Sequence, residues 1–144
     1  MILDEPIEVS EYGELPEAGT LDDLQTHRST KDTIFTASGY GLSYSSQPQS
    51  AVPTISYRVR LMAESKLVTV TSANTDGYNL QTRGNGDELG GTCSGDSGGP
   101  VFLGPYDSNL IVAVTSFGMN PLCRGTDFSY RIDRQEVLDW INSH

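Results

Sequence analysis

Short runs of alternating side chains, each ended by Gly, Asn, Asp or Ser, constrain the fold of this chain more than any other feature. We predict strands over 33–39, 55–62, 67–72, 78–81, 100–103, 110–116 and 128–132. The alternation places Tyr57, Val59 and Leu61 on one buried face, and Val68 with Val70 on another. No helix separates these runs, so the sequence predicts an antiparallel barrel or sandwich.

The two ends of the chain differ from this β-rich body. Residues 1–30 are acidic and interrupted by prolines and glycines, which predicts a connector with one short strand at 1–3. Residues 134–142 carry an apolar stripe at helical spacing, and Asp133 before them can serve as the N-cap. The sequence therefore predicts one helix, at the C-terminus.

Composition narrows the possible functions. The 9 Lys and Arg against 19 Asp and Glu give a formal charge of −10, which disfavours nucleic acid and anionic membranes as partners. No apolar run approaches the roughly 20 residues that cross a bilayer, and the acidic N-terminus does not match a secretory signal. The spacing of Cys93, Cys123, His27 and His144 matches no metal-ligand pattern. Composition leaves open whether the cysteines form one disulfide or remain two free thiols.

The run Cys-Ser-Gly-Asp-Ser-Gly-Gly-Pro at 93–100 points to chemistry. Glycines on both sides of Ser97 permit tight turns and leave its hydroxyl uncrowded. Backbone amides near such a turn can converge on an anion-binding nest, and a hydroxyl beside two such amides is the minimum for acyl transfer. A bare Gly-x-Ser-x-Gly would indicate an ordinary turn, whereas six consecutive specified residues favour a nucleophile.

Residues 95–100 resemble the nucleophile signature of the trypsin-like serine proteases. The likeness continues in order at 1–7 (after the catalytic Asp), 15–16 (connector), 35–41 (opening strand), 115–118 (Ser-Trp-Gly segment), 128–132 (last strand) and 137–141 (terminal helix). It implies an all-β fold, an antiparallel six-stranded Greek-key barrel with a C-terminal α-helix. In this interpretation 1–30 is a remnant of the first barrel and connector, and 31–144 is the second barrel.

The resemblance also implies the roles of individual residues in a serine endopeptidase. Ser97 would be the nucleophile, the N–H groups of Gly95 and Ser97 the oxyanion hole, and Asp96 the partner of the N-terminus released on activation. Substrate binding is assigned to Gly91, Thr92, Ser94, Ser116, Phe117, Gly118 and Asp127. Cys93 and Cys123 fall where the family has a disulfide beside the specificity pocket, and the family is typically secreted. No metal or organic cofactor is expected.

Specificity depends on two positions. Trypsins carry an Asp two residues before the pocket cysteine, and this chain has Gly91 there. Asp127 lies where the family often has Gly. Either Asp127 supplies the pocket carboxylate from the opposite wall and favours Lys or Arg, or it is a solvated loop residue after Gly125.

In this alignment the catalytic His and Asp lie upstream of position 1, together with the first barrel. His27 lacks the Ala-Ala-His-Cys context of the family base, and His144 is the terminal residue. We therefore expect the isolated chain to be inactive. A peptide or protein substrate is the expected partner, with an N-terminal barrel or a second copy against the exposed inter-barrel face. A fragment, half of a split enzyme and a degenerate paralogue all fit, and the alternative function is a non-catalytic binding module.

Overall fold

The computed structural model describes residues 3–25, 32–44, 53–54, 59–71, 76–86 and 88–144. A 3-10 turn at Asp22–Gln25 precedes eight strands and one α-helix: β1 (Ile34–Gly39), β2 (Ser43–Tyr44), β3 (Pro53–Thr54), β4 (Leu61–Thr69), β5 (Asn79–Arg83), β6 (Pro100–Leu103), β7 (Ile111–Gly118), β8 (Thr126–Arg131) and α1 (Gln135–Asn142). Six of the strands close into an antiparallel barrel in the order β1-β4-β5-β8-β7-β6, and β2 pairs with β3 in a separate small sheet. The predicted all-β barrel with a C-terminal helix is confirmed.

The strand order is a Greek key, because β1, β4 and β5 are sequential neighbours and β6 then returns to pair with β1. The chain between β5 and β6, residues 84–99, must therefore cross the end of the barrel. This connection contains the whole nucleophile segment. The topology places the segment on the rim, where loops are accessible and a barrel supports them from below.

The predicted strands at 55–62 and 67–72 correspond to one strand, β4. The buried face proposed for the first of them is wrong: Val59 and Leu61 are 54% and 43% exposed. The interior side of β4 instead carries Ser65 and Leu67, which are both buried. A serine at an interior position hides the alternation on which the prediction depended. Tyr57 lies outside the described residues, and so do the first two residues of the strand predicted at 1–3.

The alternation predicted for 67–72 also fails at Val68, which is 38% exposed on the outer face of β4. Val70 is fully buried, but it lies beyond the end of the strand. The β4–β5 pairing shifts register between Leu67 and Thr69. An extra residue in one strand turns the following side chain to the other face, which sequence alternation does not reveal.

The core consists of buried apolar side chains from the strands together with one residue of the connector. Its members are Leu21, Phe35, Leu67, Val70, Leu80, Val101, Val112 and Ala113. Leu21 has no exposed surface. The acidic N-terminal region therefore contributes to the barrel core. Among the described residues, none of the helices is long and apolar enough to span a membrane.

Asp133 does not cap the helix as predicted. The N-cap is Arg134, in an extended conformation and without a side-chain capping bond, while Asp133 is fully buried. The guanidinium of Arg131 donates to both Asp133 oxygens at 2.9 and 2.8 Å and to Asp22 at 2.7 Å. Burial disfavours the charged guanidinium, but hydrogen bonds and charges from the two carboxylates raise the pKa of Arg131. Asp133 also accepts from the Leu21 amide at 2.8 Å, so the ion cluster fixes the connector to the end of β8.

Candidate active site

Ser97 lies at the top of two successive tight turns. The Asp96 amide donates to the Cys93 carbonyl at 3.0 Å, and the Gly99 amide donates to the Asp96 carbonyl at 2.9 Å. Gly95 has a φ of +101°, which a side chain would resist, and this conformation reverses the chain just before the serine. The local sequence therefore produces a bend that leaves Ser97 exposed.

Two backbone bonds to β7 hold this bend on the barrel. The Gly98 amide donates to the Thr115 carbonyl, and the Thr115 amide donates to the Gly99 carbonyl, both at 2.9 Å. A strand end is more rigid than a free loop, so the bend has a fixed support.

The amides of Gly95 and Ser97 are both available to a ligand. Neither donates a hydrogen bond to any atom in the part of the chain that the structure describes. Exposed amides on a turn of this kind can stabilise a negatively charged oxygen, which is the task of an oxyanion hole.

The carboxylate of Asp96 is held by two backbone amides. Its Oδ1 accepts from the Gly41 amide at 2.8 Å and its Oδ2 from the Cys93 amide at 2.9 Å. Within the described ranges it forms no ion pair with a cationic side chain. Two amide donors therefore hold Asp96, and its carboxylate lines a cavity at the end of the barrel.

A cavity of about 430 Å³ lies beside Ser97. Five of the predicted substrate-binding residues line it together with the nucleophile: Thr92, Ser94, Ser116, Phe117 and Gly118. Three of these come from the end of β7, whose pairing with β8 shifts register between Thr115 and Phe117. The shift leaves Ser116 exposed beside the cavity.

Phe117 forms an aromatic wall. Its ring stacks on that of Phe128, with centroids 4.6 Å apart and planes 5° from parallel. Phe128 is buried whereas Phe117 is 45% exposed. One face of Phe117 is therefore fixed by stacking, and the side chain still presents apolar surface.

The other two predicted pocket residues, Gly91 and Asp127, line a second cavity of about 510 Å³ that does not include Ser97. The two cavities share Thr92 and the two cysteines. Cys93 and Cys123 form a disulfide with Cα atoms 5.2 Å apart. Ser116, Phe117 and Gly118, which the resemblance assigns to the substrate strand, line the first cavity. Gly91, Thr92 and Asp127, which it assigns to the specificity pocket, line the second.

Asp127 is a strand residue and not a solvated loop residue. It lies in β8, is 8% exposed, and its Oδ2 accepts from the Thr92 amide at 2.8 Å. Burial raises the pKa of Asp127, hydrogen bonds from Thr92 oppose the rise, and the charge of Asp96 adds to it. A Cβ placed on Gly91 would overlap the same Oδ2, so a side chain at position 91 would require the Asp127 carboxylate to shift.

Candidate bases are scarce in the described part of the chain. His27 lies outside the described residues. The ring of His144 packs against that of Trp140 at the end of α1, tilted by 33°. Its Nδ1 lies 2.9 Å from both the Trp140 carbonyl oxygen and the Ser143 hydroxyl. No group of three or more His, Cys, Asp or Glu that could hold a metal occurs in the described ranges.

Sequence reasoning missed two polar features of the barrel interior. One is the ion cluster around Arg131, in which Asp22 lies 109 residues before Arg131 in the sequence. The other is Thr115, which lines the Ser97 cavity with a buried hydroxyl that has no hydrogen-bond partner among the described residues. The only available signal for Thr115 was a polar residue at the end of an apolar strand.

A closed Greek-key barrel that presents a serine on a glycine turn beside a disulfide-braced cavity defines a chymotrypsin-like protease fold. The sequence profile described as Trypsin matches residues 9–141, so the chain belongs to the trypsin family.

Solved structures support the fold. A double mutant of human heparin-binding protein is 22% identical with a TM-score of 0.64, over 97% of this chain and 53% of that chain. A single-site mutant of the same protein is 22% identical with a TM-score of 0.65, over 98% and 55%. An inactivated protease paralogue from the scabies mite is 16% identical with a TM-score of 0.57, over 98% and 57%. The chain thus spans just over half the length of these neighbours, and no curated protein sequence matches it.

Proposed function

We propose that this chain is the nucleophile-bearing barrel of a secreted-type serine endopeptidase. The observation that carries the proposal is the combination of an exposed Ser97 with two unengaged amides, at Gly95 and Ser97 itself, on a bend beside a cavity. In a trypsin-like mechanism these are the groups that form and stabilise an acyl-enzyme. Family membership and the disulfide also favour an extracellular location.

The proposed reaction is hydrolysis of a peptide bond in two steps. Ser97 Oγ attacks the scissile carbonyl carbon, its proton passes to a base, and the two amides hold the oxyanion. The amine then leaves with that proton, and water hydrolyses the acyl-enzyme in the same way. No described residue of this chain is assigned as the base or its orienting carboxylate, so we expect the chain alone to be inactive or nearly so.

Substrate binding is proposed for the end of β7. In this arrangement an extended peptide lies along Ser116, Phe117 and Gly118, and the exposed side of Phe117 contacts its apolar side chains. Thr92 and Ser94 form the opposite side of the cavity. The proposed partners are therefore peptide or protein substrates.

We propose that Asp127 gives the pocket a preference for Lys or Arg. It is buried, accepts from Thr92 and has a raised pKa, so a cation beside it would relieve the cost of its charge. Kinetics of the reconstituted two-barrel enzyme on matched Arg, Phe and Ala substrates test this. A strong Arg preference that disappears in Asp127→Asn supports it, and indifference to Arg contradicts it.

The remaining roles concern regulation and assembly. We propose that Asp96 receives a new N-terminal amine on activation. Two observations support this role: Asp96 lines the cavity at the barrel end, and its described hydrogen-bond partners are neutral amides. A first barrel is the proposed partner of the surface around Ser97. Self-association of the chain through that surface is the alternative.

A non-catalytic binding module is the second candidate function. It is favoured by the position of His144, engaged at the helix end, and by the presence of an inactivated protease paralogue among the structural neighbours. A fluorophosphonate probe on the reconstituted two-barrel enzyme distinguishes the two functions, because it reacts with an activated serine in a formed oxyanion hole. The exposed Ser143, at the C-cap of α1, supplies a control outside both cavities: Ser97→Ala should abolish labelling and Ser143→Ala should keep it. Equal labelling of all three chains would favour the binding module.

A further inference from the structure

A methionine side chain stands exposed at the edge of the Ser97 cavity. Met119 follows the end of β7 and lines this cavity. It is 72% exposed, more than any other large hydrophobic residue in the described part of the chain. A thioether as exposed as this one can meet an oxidant dissolved in the solvent, which converts methionine to its sulfoxide.

A second methionine supplies a comparison within the same chain. The sequence has three methionines, and Met1 lies outside the described residues. Met62 is half-buried in β4, where its Cα pairs with that of Ser38, and it lines the cavity that does not include Ser97. The structure therefore contrasts a methionine that is open to solvent beside the nucleophile with one that is partly covered in the other cavity.

Met119 belongs to the apolar part of the Ser97 cavity. The other large apolar side chains that line it are Phe117 and Pro121, whereas most of the remaining lining side chains carry hydroxyl groups. In the proposed substrate complex an extended peptide lies along residues 116–118, directly before Met119. We therefore expect apolar side chains of the peptide to contact the thioether as well as the Phe117 ring.

We propose that Met119 is a site of reversible oxidation, where a peroxide converts the thioether to a sulfoxide and thereby weakens substrate binding. This regulation rests on the proposed endopeptidase function, because it acts on the same site. The sulfur lone pair attacks one oxygen of hydrogen peroxide, the O–O bond breaks, and the departing hydroxide takes the proton of the transferred oxygen and leaves as water. The sulfur is oxidised and the peroxide reduced, and methionine sulfoxide reductases reverse the change.

The oxidation acts on binding and not on the nucleophile. A sulfoxide is polar, so an apolar substrate side chain would lose its contact at Met119. The amides of Gly95 and Ser97, which hold the oxyanion in the proposed mechanism, belong to a bend fixed by its own backbone hydrogen bonds. We therefore expect oxidation to raise KM and to leave kcat unchanged, as when an interaction common to the ground state and the transition state is removed.

Peptide mass spectrometry after graded hydrogen peroxide tests the accessibility of the two methionines, in the 144-residue chain and in the reconstituted two-barrel enzyme. The same titration in urea, where both side chains are solvated, gives the reference rates. We expect Met119 to be oxidised at lower peroxide than Met62 in both folded samples. Oxidation of Met62 first, or protection of Met119 once the first barrel is present, would overturn the proposal.

Kinetics of the reconstituted enzyme test the consequence, with two peptides that differ only by Leu or Ala upstream of the scissile bond. Peroxide should raise KM for the Leu peptide about tenfold, the scale of a lost apolar contact, and should affect the Ala peptide less. Methionine sulfoxide reductase should restore the KM. Met119→Leu keeps an apolar side chain of similar volume and should not respond to peroxide, whereas Met62→Leu should respond like the wild type.

Three kinetic outcomes would contradict this account in different ways. An unchanged KM after full oxidation of Met119 would overturn the regulation, although the hydrolase would stand. A fall in kcat that Met119→Leu does not prevent would place the oxidative damage elsewhere and would also overturn it. An enzyme that hydrolyses neither peptide before peroxide is added would contradict the proposed function itself, and the regulation would fall with it.

Discussion

The bend that presents Ser97 and the wall that carries Asp127 lie on either side of the same disulfide, but they are built differently. The bend is made by hydrogen bonds within seven consecutive residues, Cys93 to Gly99, and two bonds to β7. The wall joins Thr92 to Asp127, which are 35 residues apart. The comparison teaches that a site formed by consecutive residues can be recognised in the sequence. A site formed by residues that strand pairing brings together can be recognised only once the fold is known.

The two regions also differ in the hydrogen-bond donors that their carboxylates have. Asp96 accepts from two backbone amides, one for each oxygen. Asp127 accepts from the Thr92 amide and is also stabilised by the Thr92 side chain, but burial still raises its pKa. We infer that the Ser97 side is already organised, whereas the Asp127 side is completed by a cationic ligand.

Removing the disulfide should have the largest effect, because it is the element that both regions share. The bond closes a separation of 30 residues, for which chain entropy gives roughly 3–4 kcal/mol of stability. Denaturant unfolding of the double variant Cys93→Ala, Cys123→Ala would measure the loss. Hydrogen exchange should rise on both sides of the bond, and a rise on the Asp127 side alone would show that the Ser97 bend does not depend on it.

Substitution at position 91 tests whether the wall has room for only one carboxylate. Gly91→Asp should destabilise the chain by roughly 2–3 kcal/mol, because its Cβ would overlap Asp127 Oδ2 and two acids would share one site. The pair Gly91→Asp, Asp127→Gly should recover most of that loss in a double-mutant cycle. Additive free energies of unfolding would contradict the steric account.

Some features of the fold and of the candidate site could be predicted from the sequence, and others could not. The turn residues predicted a β-rich fold, and the resemblance to trypsin-like proteases narrowed it to a six-stranded barrel. The apolar stripe predicted the helix, and the glycine placement predicted the bend at 95–100. The buried place of Asp127 could not be decided from sequence, since a one-residue change of register would expose it. The ion pair between Arg131 and Asp133 was missed because an acidic residue before a helix is more often a cap.

The pH dependence of stability should distinguish the two carboxylates. Because the pKa of Asp127 is raised above its ordinary 3.8, the stability it contributes is present below that value and is lost as pH rises through the raised value. Asp127→Asn should therefore be about as stable as the wild type near pH 3 and more stable at pH 7. Thermal unfolding across this range measures the difference, and parallel curves would show that Asp127 titrates normally.

The smallest expected effect is at Thr115. Thr115→Val replaces a buried hydroxyl without a described partner by a methyl group of similar size, so it should raise stability by about 1 kcal/mol. Denaturant unfolding of Thr115→Val and Thr115→Ser would measure this gain against a variant that keeps the hydroxyl. A loss of stability in Thr115→Val would mean that the hydroxyl already has a bonding partner, such as a buried water.

The central claim is that Ser97 and two adjacent amides form a nucleophile with its oxyanion site. A crystal structure of the reconstituted two-barrel enzyme after reaction with a fluorophosphonate tests it most directly. The account predicts phosphorus bonded to Ser97 Oγ, with the phosphoryl oxygen about 2.7–3.1 Å from the amide nitrogens of Gly95 and Ser97. An adduct at another serine, or a phosphoryl oxygen turned away from both amides, would contradict it.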